Sequence, residues 1–333
     1  MFRSARQLVS ALALTVGVAL FVITIVRSGF DETIQSVGRL GFAFPALLLP
    51  SACWHLLRTW GWSVAFPDDT RPAFTRLFRV RLAADAISFF TIRGLTGEPL
   101  KVMLLYDRAS PPVVAAAITL ERLAFAIMSL VIAGIVSYVA VRRLAMPGAW
   151  DVVFTLLSMA TVIALAVLAE VARHRKGDYL GRLVTRLGAL VGRPLETSRV
   201  VKFVLDVEDI LLDLLRGDRR RLIILTVLPV VCYLLTAFEV WLVLWVIGEP
   251  IGVTAALAID TFARLGSVAS AAIPAGIGAL EASNAAPVAM LGLGGGGVLA
   301  LIRRVRALLW AGAGLALYPR IKPKQPTPKQ LTA

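Results

Sequence analysis

The strongest constraint on the fold is a helix-breaking segment inside an otherwise lipid-soluble half of the chain. Residues 272–280 read Ala-Ile-Pro-Ala-Gly-Ile-Gly-Ala-Leu, and Glu281 follows directly. Proline and closely spaced glycines interrupt a membrane helix, and each backbone group left without a hydrogen bond in hydrocarbon costs several kcal/mol. Protein or water, rather than lipid, must therefore surround this break.

A second break repeats this design in the first half of the chain. Arg93, Gly94 and Gly97 are followed by Glu98 and Pro99, again between apolar stretches. Apolar segments that are broken at corresponding positions of two halves are typical of transporters whose binding site lies at the breaks. We therefore predict two re-entrant helical hairpins, one at about 74–107 and one at about 251–291.

The composition places the protein in a membrane. Of its 333 residues, 58% are hydrophobic and only 17% are charged, and the mean hydropathy is +0.79. These values exclude an ordinary soluble domain. The net charge of +14 comes from basic residues that flank apolar spans, which follows the positive-inside rule and disfavours nucleic acid as a partner. We expect anionic phospholipids at the cytoplasmic face to be the counter-charges.

Six segments are candidates to cross a hydrocarbon layer of about 30 Å. The sixth carries Arg303, Arg304 and Arg306, so its first half must be shielded from lipid or open to water. With both termini cytoplasmic, most basic residues between spans lie on that side, Arg81 among them. The two hairpins then lie on opposite faces, as an inverted-topology repeat requires. The spans are 8–26, 41–65, 124–141, 152–169, 222–247 and 298–318.

The sequence thus divides into two membrane repeats joined by a polar segment. We predict a first repeat at 1–172, a cytoplasmic amphipathic linker at 173–221, a second repeat at 222–319 and a disordered basic tail at 320–333. The predicted fold class is an all-α polytopic membrane protein. The linker contains an acidic run, which we interpret as the polar face of a helix rather than a metal or sugar-nucleotide site. Its members are Asp206, Glu208, Asp209 and Asp213.

Charged residues at membrane depth are the candidate site residues, because they are costly there unless they are paired or hydrated. Asp260 and Arg264 are four residues apart and can neutralise each other on one helix face. Glu239 has no such neighbour in its own span, so it needs a cation from another helix or a proton. The candidate substrate-binding residues are Arg93, Gly94, Gly97, Glu98, Lys101, Glu121, Arg122, Glu239, Asp260, Arg264, Gly276, Gly278, Glu281, Arg303 and Arg304.

Glu98 and Glu281 follow the glycines of the two breaks, and two interpretations stay open for them. They can cap the half-helices that begin there and pair with the nearby arginines, or they can take part in transport by exchanging protons. The sequence contains no glycine-rich phosphate loop, Ser-His-Asp set or zinc spacing. We therefore assign no cofactor, no metal and no catalytic residue.

Four motifs in this order give the chain a family resemblance. They are Gly97-Glu98 with Lys101 downstream, Glu121-Arg122-Leu123, the run from Pro274 to Glu281, and Arg303-Arg304-Val305-Arg306. With these motifs the chain resembles the lysylphosphatidylglycerol synthase transmembrane family, also called flippase-like membrane proteins, over roughly 42–318. The stretch from Ala258 through Arg264, leading to the second break, is similar to the branch associated with hopanoid biosynthesis.

The resemblance implies lipid translocation in some members and aminoacyl-lipid synthesis in members with an added cytosolic catalytic domain. We recognise no such domain in this sequence and expect a flippase-like transporter of the bacterial inner membrane rather than an enzyme. Its substrate would be a polar or anionic lipid such as a phospholipid, glycolipid or hopanoid. Two alternatives stay open. One is a membrane-embedded lipid headgroup or glycosyl transferase with Glu98, Glu239 or Glu281 as base, and the other is a non-catalytic partner of lipid-biosynthesis enzymes.

Overall fold

The computed structural model describes residues 43–91, 96–144, 148–173, 198–269 and 279–319. This part of the chain contains ten α-helices and no strand, which confirms the predicted all-α fold class. In chain order the helices are α1 (Ala43–Val64), α2 (Phe74–Phe90), α3 (Gly97–Leu104), α4 (Pro111–Arg143), α5 (Gly148–Arg173), α6 (Arg199–Gly217), α7 (Arg219–Val246), α8 (Val253–Ala269), α9 (Ala279–Met290) and α10 (Gly296–Ala316).

Helices end and begin on either side of both predicted breaks. The first break separates α2 from α3, and the second separates α8 from α9. Residues 92–95 and 270–278, which form the breaks themselves, lie outside the described residues, as does the predicted span 8–26. The structure therefore supports the interruption of the first apolar segment, because α2 ends at Phe90 and Thr91 has extended backbone. The second interruption and the re-entrant paths through a membrane remain predictions.

Three helices of the described chain are long and apolar enough to cross a membrane: α4, α7 and the portion Gly148–Ala166 of α5. The count of six spans remains a prediction. In α10, the three arginines at positions 303, 304 and 306 interrupt an otherwise apolar helix. The helix α4 begins at Pro111, thirteen residues before the predicted span, because Pro at the first helical position follows the Ser110 N-cap. Glu121 and Arg122 consequently lie within this helix rather than ahead of it.

The helices of the two halves pack in the same pattern. In the first half, α1 contacts α2, α2 contacts α3, α3 contacts α4, and α4 returns to α1. The second half repeats these four pairs with α7, α8, α9 and α10. Between the halves, α1 packs on its counterpart α7, and the contact of α4 with α8 is matched by that of α10 with α2. This is the set of contacts that a two-fold internal repeat produces, and it supports the predicted duplication.

The described helix of the predicted linker, α6, packs against the body of the protein. Its Leu214 is buried in the core of the first half, and Val207 and Leu211 pack against that core. The acidic Asp206, Asp209 and Asp213 are exposed. The amphipathic helix thus uses its apolar face for α4, which agrees with the interpretation of the acidic run as a polar face.

The contact between α2 and α10 depends on a glycine. A Cβ atom at Gly314 would collide with the carbonyl oxygen of Leu82 and lie 3.0 Å from the Cβ of Ala86. We expect Gly314→Ala to lower the free energy of unfolding by about 1–3 kcal/mol, because the two helix backbones must separate. Gly297→Ala on the same helix is the matched control, since nothing lies within 4 Å of the added Cβ there. Thermal unfolding of the purified variants in detergent tests this, and equal midpoints for both variants would contradict it.

Candidate functional site

A cavity of about 620 Å³ lies where the two halves meet. It is walled by α1, α2, α4, α7, α8, α9 and α10, so both halves and one or both helices of each predicted hairpin contribute. Its volume is within the range of about 300–1,000 Å³ that is common for small-molecule sites. The charged side chains that line it in the described part of the chain are Arg58, Arg81, Asp85, Arg122, Asp260, Arg264, Arg303 and Arg306.

Glu121 is the centre of the charge cluster in the first half. Its carboxylate lies 2.7 Å from Nε of Arg58 on α1 and 3.3 Å from an Nη atom of Arg81 on α2. Arg81 also donates a hydrogen bond to the carbonyl oxygen of Arg58 (2.8 Å). The guanidinium of Arg58 lies 3.8 Å from the ring centre of Phe125. Three helices are thus joined through one buried carboxylate.

The first hairpin is tied to this cluster by Lys101 on α3. Its Nζ lies 3.5 Å from Asp85 on α2 and 3.3 Å from Glu98 on its own helix. Glu98 in turn contacts Arg122 on α4. Gly97 permits a close approach of α3 to α2, since a Cβ there would lie 2.9 Å from the carbonyl oxygen of Ala84. The structure shows the ion pairing of the first interpretation of Glu98, and a part in proton exchange stays a prediction.

Asp260 is the centre of the corresponding cluster in the second half. Its carboxylate accepts hydrogen bonds from Nε of Arg264 (2.8 Å), from an Nη atom of Arg303 on α10 (2.7 Å) and from Thr236 on α7 (2.7 Å). Arg303 further donates to the side chain of Asn284 on α9 (2.8 Å). The predicted pair Asp260 and Arg264 is therefore present, within a network that four helices share.

Glu239 receives the cross-helix cation that its isolation in the sequence required. The fully buried carboxylate contacts Arg306 and lies 3.9 Å from Nε of Arg303, both on α10. The neighbouring Arg304 is also buried but does not line the cavity. Burial of α10's arginines agrees with the expectation that this part of the helix is shielded from lipid.

The two clusters correspond by helix position with the signs of their charges exchanged. In the first half, α4 supplies the acid, Glu121, while α1 and α2 supply Arg58 and Arg81. In the second half, α10 supplies Arg303 and Arg306, while α7 and α8 supply Glu239 and Asp260. Glu121 and Arg303 therefore each face opposite charges from the same two partner positions, and Arg306 adds a second contact to Glu239. Buried ions are tolerated only when such partners are present.

The structure brings most predicted site residues around the cavity or into its two clusters. Arg93, Gly94, Gly276 and Gly278 lie outside the described residues, and Glu281 lies in α9 with its side chain outside the described part. Assigning Arg81 to the basic residues between spans was wrong, because it is buried in α2 against Glu121 and Asp85. The sequence held a signal for it, since Arg81 and Asp85 have the same four-residue spacing as Asp260 and Arg264. The polar or charged residues that sequence reasoning missed include His55, Arg58, Arg81, Asp85, Thr236 and Asn284.

The sequence matches one family model, that of the lysylphosphatidylglycerol synthase TM region, over residues 9–316. No curated protein and no solved structure matches the chain significantly.

Proposed function

The chain belongs to the lysylphosphatidylglycerol synthase transmembrane family, and from this membership and its central cavity we propose that it moves a polar or anionic lipid between the leaflets of a membrane. The headgroup occupies the cavity, and the acyl or other apolar tails remain in the bilayer. A phospholipid, a glycolipid and a hopanoid with a polar head are the substrate classes that this proposal covers. We place the protein in the bacterial inner membrane with both termini in the cytoplasm.

The observation that carries the proposal is a charged cavity between strongly apolar helices. Two of the helices that are apolar enough to cross a membrane, α4 and α7, contribute Arg122 and Thr236 to its wall. Outward-facing residues of the same helices are apolar, for example Ile135 and Leu234. A polar headgroup crosses hydrocarbon slowly because its dehydration is costly. A hydrated, charged chamber at that depth lowers this cost.

The pairing of the carboxylates supports transport over the transferase alternative. A catalytic base must be within hydrogen-bond reach of the proton it removes. Of the three acids that this alternative would use as base, Glu98 contacts Lys101 and Arg122, and Glu239 contacts Arg306. These two acids therefore hold helices and cations in place, while the side chain of Glu281 lies outside the described residues. A non-catalytic role in a lipid-biosynthesis complex would give no reason for so many charges around a cavity.

Leaflet exchange in vesicles tests the proposal. The purified protein is reconstituted with phospholipids that carry a fluorophore, and loss of outer-leaflet fluorescence after addition of a membrane-impermeant reductant reports exchange. We expect exchange well above that of protein-free vesicles. Arg122→Gln should slow it roughly tenfold, since a lost hydrogen bond to a charged group costs about 1.5–3 kcal/mol.

Arg143→Gln on the same helix is the matched control, because Arg143 is exposed at the end of α4 and does not line the cavity. This variant should exchange lipid at the rate of the unmodified protein. Absence of exchange for phospholipid, glycolipid and hopanoid probes alike, from protein that is folded, would contradict the proposed transport.

A further inference from the structure

The arginines that line the cavity differ in how much of each side chain is exposed. Arg81, Arg303 and Arg58 are 3%, 8% and 11% exposed and sit deep within the two clusters. Arg306 and Arg264 are 22% and 25% exposed. All five line the same cavity. Arg264 and Arg306 can therefore reach a ligand there, as can Arg122, which lines the same cavity and is 47% exposed. The other three mainly join helices.

Arg264 and Arg306 are each held on one side only. Arg264 uses Nε for Asp260 and one Nη atom for Thr236, and its guanidinium lies 4.0 Å from the ring centre of Tyr233. Arg306 uses one Nη atom for Glu239. Thr236 and Glu239 lie one turn apart on α7, which places the two arginines along the same wall. Their other N–H groups have no protein partner in the described part of the chain and remain for a ligand.

His55 supplies a third polar group to this region. It is buried in the cavity wall, and its Nδ1 has no hydrogen-bond partner among the described residues. Its ring centre lies 4.4 Å from that of Trp310, which follows Arg306 by one turn on α10. The indole N–H of Trp310 donates a hydrogen bond to the hydroxyl of Ser51 (2.9 Å). A buried ring nitrogen without a protein partner needs a hydrogen bond from a water molecule or a ligand, so this nitrogen is free to bond to a headgroup that enters the cavity.

The charges around the cavity leave room for an anion. Counting the cavity-lining side chains and their ion-pair partners in the described chain, seven cations face five carboxylates. The cations are Arg58, Arg81, Lys101, Arg122, Arg264, Arg303 and Arg306, and the acids are Asp85, Glu98, Glu121, Glu239 and Asp260. Among the described side chains, this excess of cations favours an anionic ligand group.

We propose that Arg264, Arg306 and His55 form a subsite for the phosphate of a lipid headgroup, and that the cavity selects headgroups with a net negative charge. The planar fork of an arginine matches a phosphate with two parallel hydrogen bonds. Asp260 and Glu239 are positioning residues that hold the two forks toward the cavity. This inference rests on the proposed function and adds to it the chemical class of the headgroup and the residues that contact it.

Binding of short-chain probes to the full-length protein in nanodiscs tests the subsite. The probes are dihexanoyl phosphatidate, dihexanoyl glycerol, glycerol 3-phosphate and inorganic phosphate, and titration calorimetry gives each dissociation constant. We expect phosphatidate to bind at least tenfold more tightly than the other three. Equal binding of the uncharged diacylglycerol overturns the subsite. Inorganic phosphate that binds as tightly as phosphatidate overturns the assignment to a lipid.

Two conservative variants separate contact from structure. Arg264→Lys and Arg306→Lys retain the positive charge but lose the planar guanidinium group. Each should weaken the binding of phosphatidate roughly tenfold. Arg142 lies outside the cavity, so Arg142→Lys should leave the affinity for phosphatidate unchanged. His55→Phe keeps an aromatic ring against Trp310 and should weaken phosphatidate severalfold without changing diacylglycerol binding. Should Arg306→Lys fail to fold, Arg264→Lys and His55→Phe still decide the matter, and unchanged affinity in both overturns the subsite.

Vesicle transport distinguishes this inference from the function on which it rests. Exchange of an uncharged glycolipid as fast as phosphatidate would overturn the subsite and leave lipid transport standing. Phosphatidate binding that depends on Arg264 and Arg306, in a protein that exchanges no lipid, would support the subsite and contradict transport.

Discussion

Arg303→Met is expected to lower the free energy of unfolding by about 3–5 kcal/mol, because it leaves a buried acid without a principal partner. Arg303 lies 2.7 Å from Asp260 and donates a hydrogen bond of 2.8 Å to Asn284. It also donates to the backbone carbonyl of Thr236 (3.2 Å). Methionine has similar reach but offers none of these donors. Three helices, α7, α8 and α9, would therefore lose their common attachment to α10.

Unfolding of the purified variant in a mild detergent, titrated with a denaturing one, measures this loss. Arg143→Met is the matched control and should stay within about 0.5 kcal/mol of the unmodified protein, as exposed substitutions usually do. Adding Asp260→Asn to Arg303→Met should not recover the loss, because Arg264 then loses the carboxylate with which it pairs. A stability near that of the unmodified protein for Arg303→Met alone would contradict the role of this network.

Glu121→Gln is expected to be about equally damaging, with a loss of about 3–5 kcal/mol, for the converse reason. The substitution keeps the shape of the side chain and removes the negative charge that Arg58 and Arg81 share. Arg81 is buried and the side chain of Arg58 is only 11% exposed, and Arg58 has no other ion pair among the described residues. The contact between α1, α2 and α4 would then contain two cations, and Asp85 would be the one remaining ion-pair partner, for Arg81, among the described residues.

The same unfolding titration measures the effect of Glu121→Gln. Asp213→Asn is the control, because it removes an acid from the exposed face of α6. If the two clusters are counterparts in a repeat, the losses at Glu121 and Arg303 should agree within about 1 kcal/mol. A loss of stability at only one of the two sites would show that the two clusters do not contribute equally to the stability of the protein.

Local pattern was sufficient to predict the helices that border the breaks. The first hairpin is predicted at about 74–107, and α2 and α3 lie within these bounds. The second is predicted at about 251–291, and α8 and α9 lie within those. Glycine and proline mark such ends directly in the sequence. The start of α4 was misjudged because an inward-facing Glu121 resembles the end of an apolar span until its buried partners are known.

The site was only partly predictable because its contacts join residues that are far apart in the chain. Spacing along one helix identified Asp260 and Arg264, and the isolation of Glu239 required a partner without naming it. Arg58 and Glu121 are 63 positions apart, and nothing local links them. Such pairs arise from the packing of α1 on α4 and of α7 on α10. Sequence pattern indicates which charges need partners, and tertiary packing decides which partners they obtain.

The repeat gives these contacts a functional meaning. Each half presents one cluster to the same cavity, and the corresponding helices meet through α1 and α7. The family is named for the synthesis of a lipid. The cavity lies among helices that are apolar on their outer faces. The central claim is therefore that a lipid headgroup enters the space between the two clusters.

Photo-crosslinking tests this claim most directly. A phospholipid with a diazirine in its headgroup is added to the protein in nanodiscs, irradiated, and located by mass spectrometry of the digested chain. We predict labelling of the cavity walls around His55, Arg264 and Arg306, and loss of that labelling when unlabelled phosphatidate competes. Labelling confined to outward-facing positions such as Val162 and Ile163 on α5, without competition, would contradict the account.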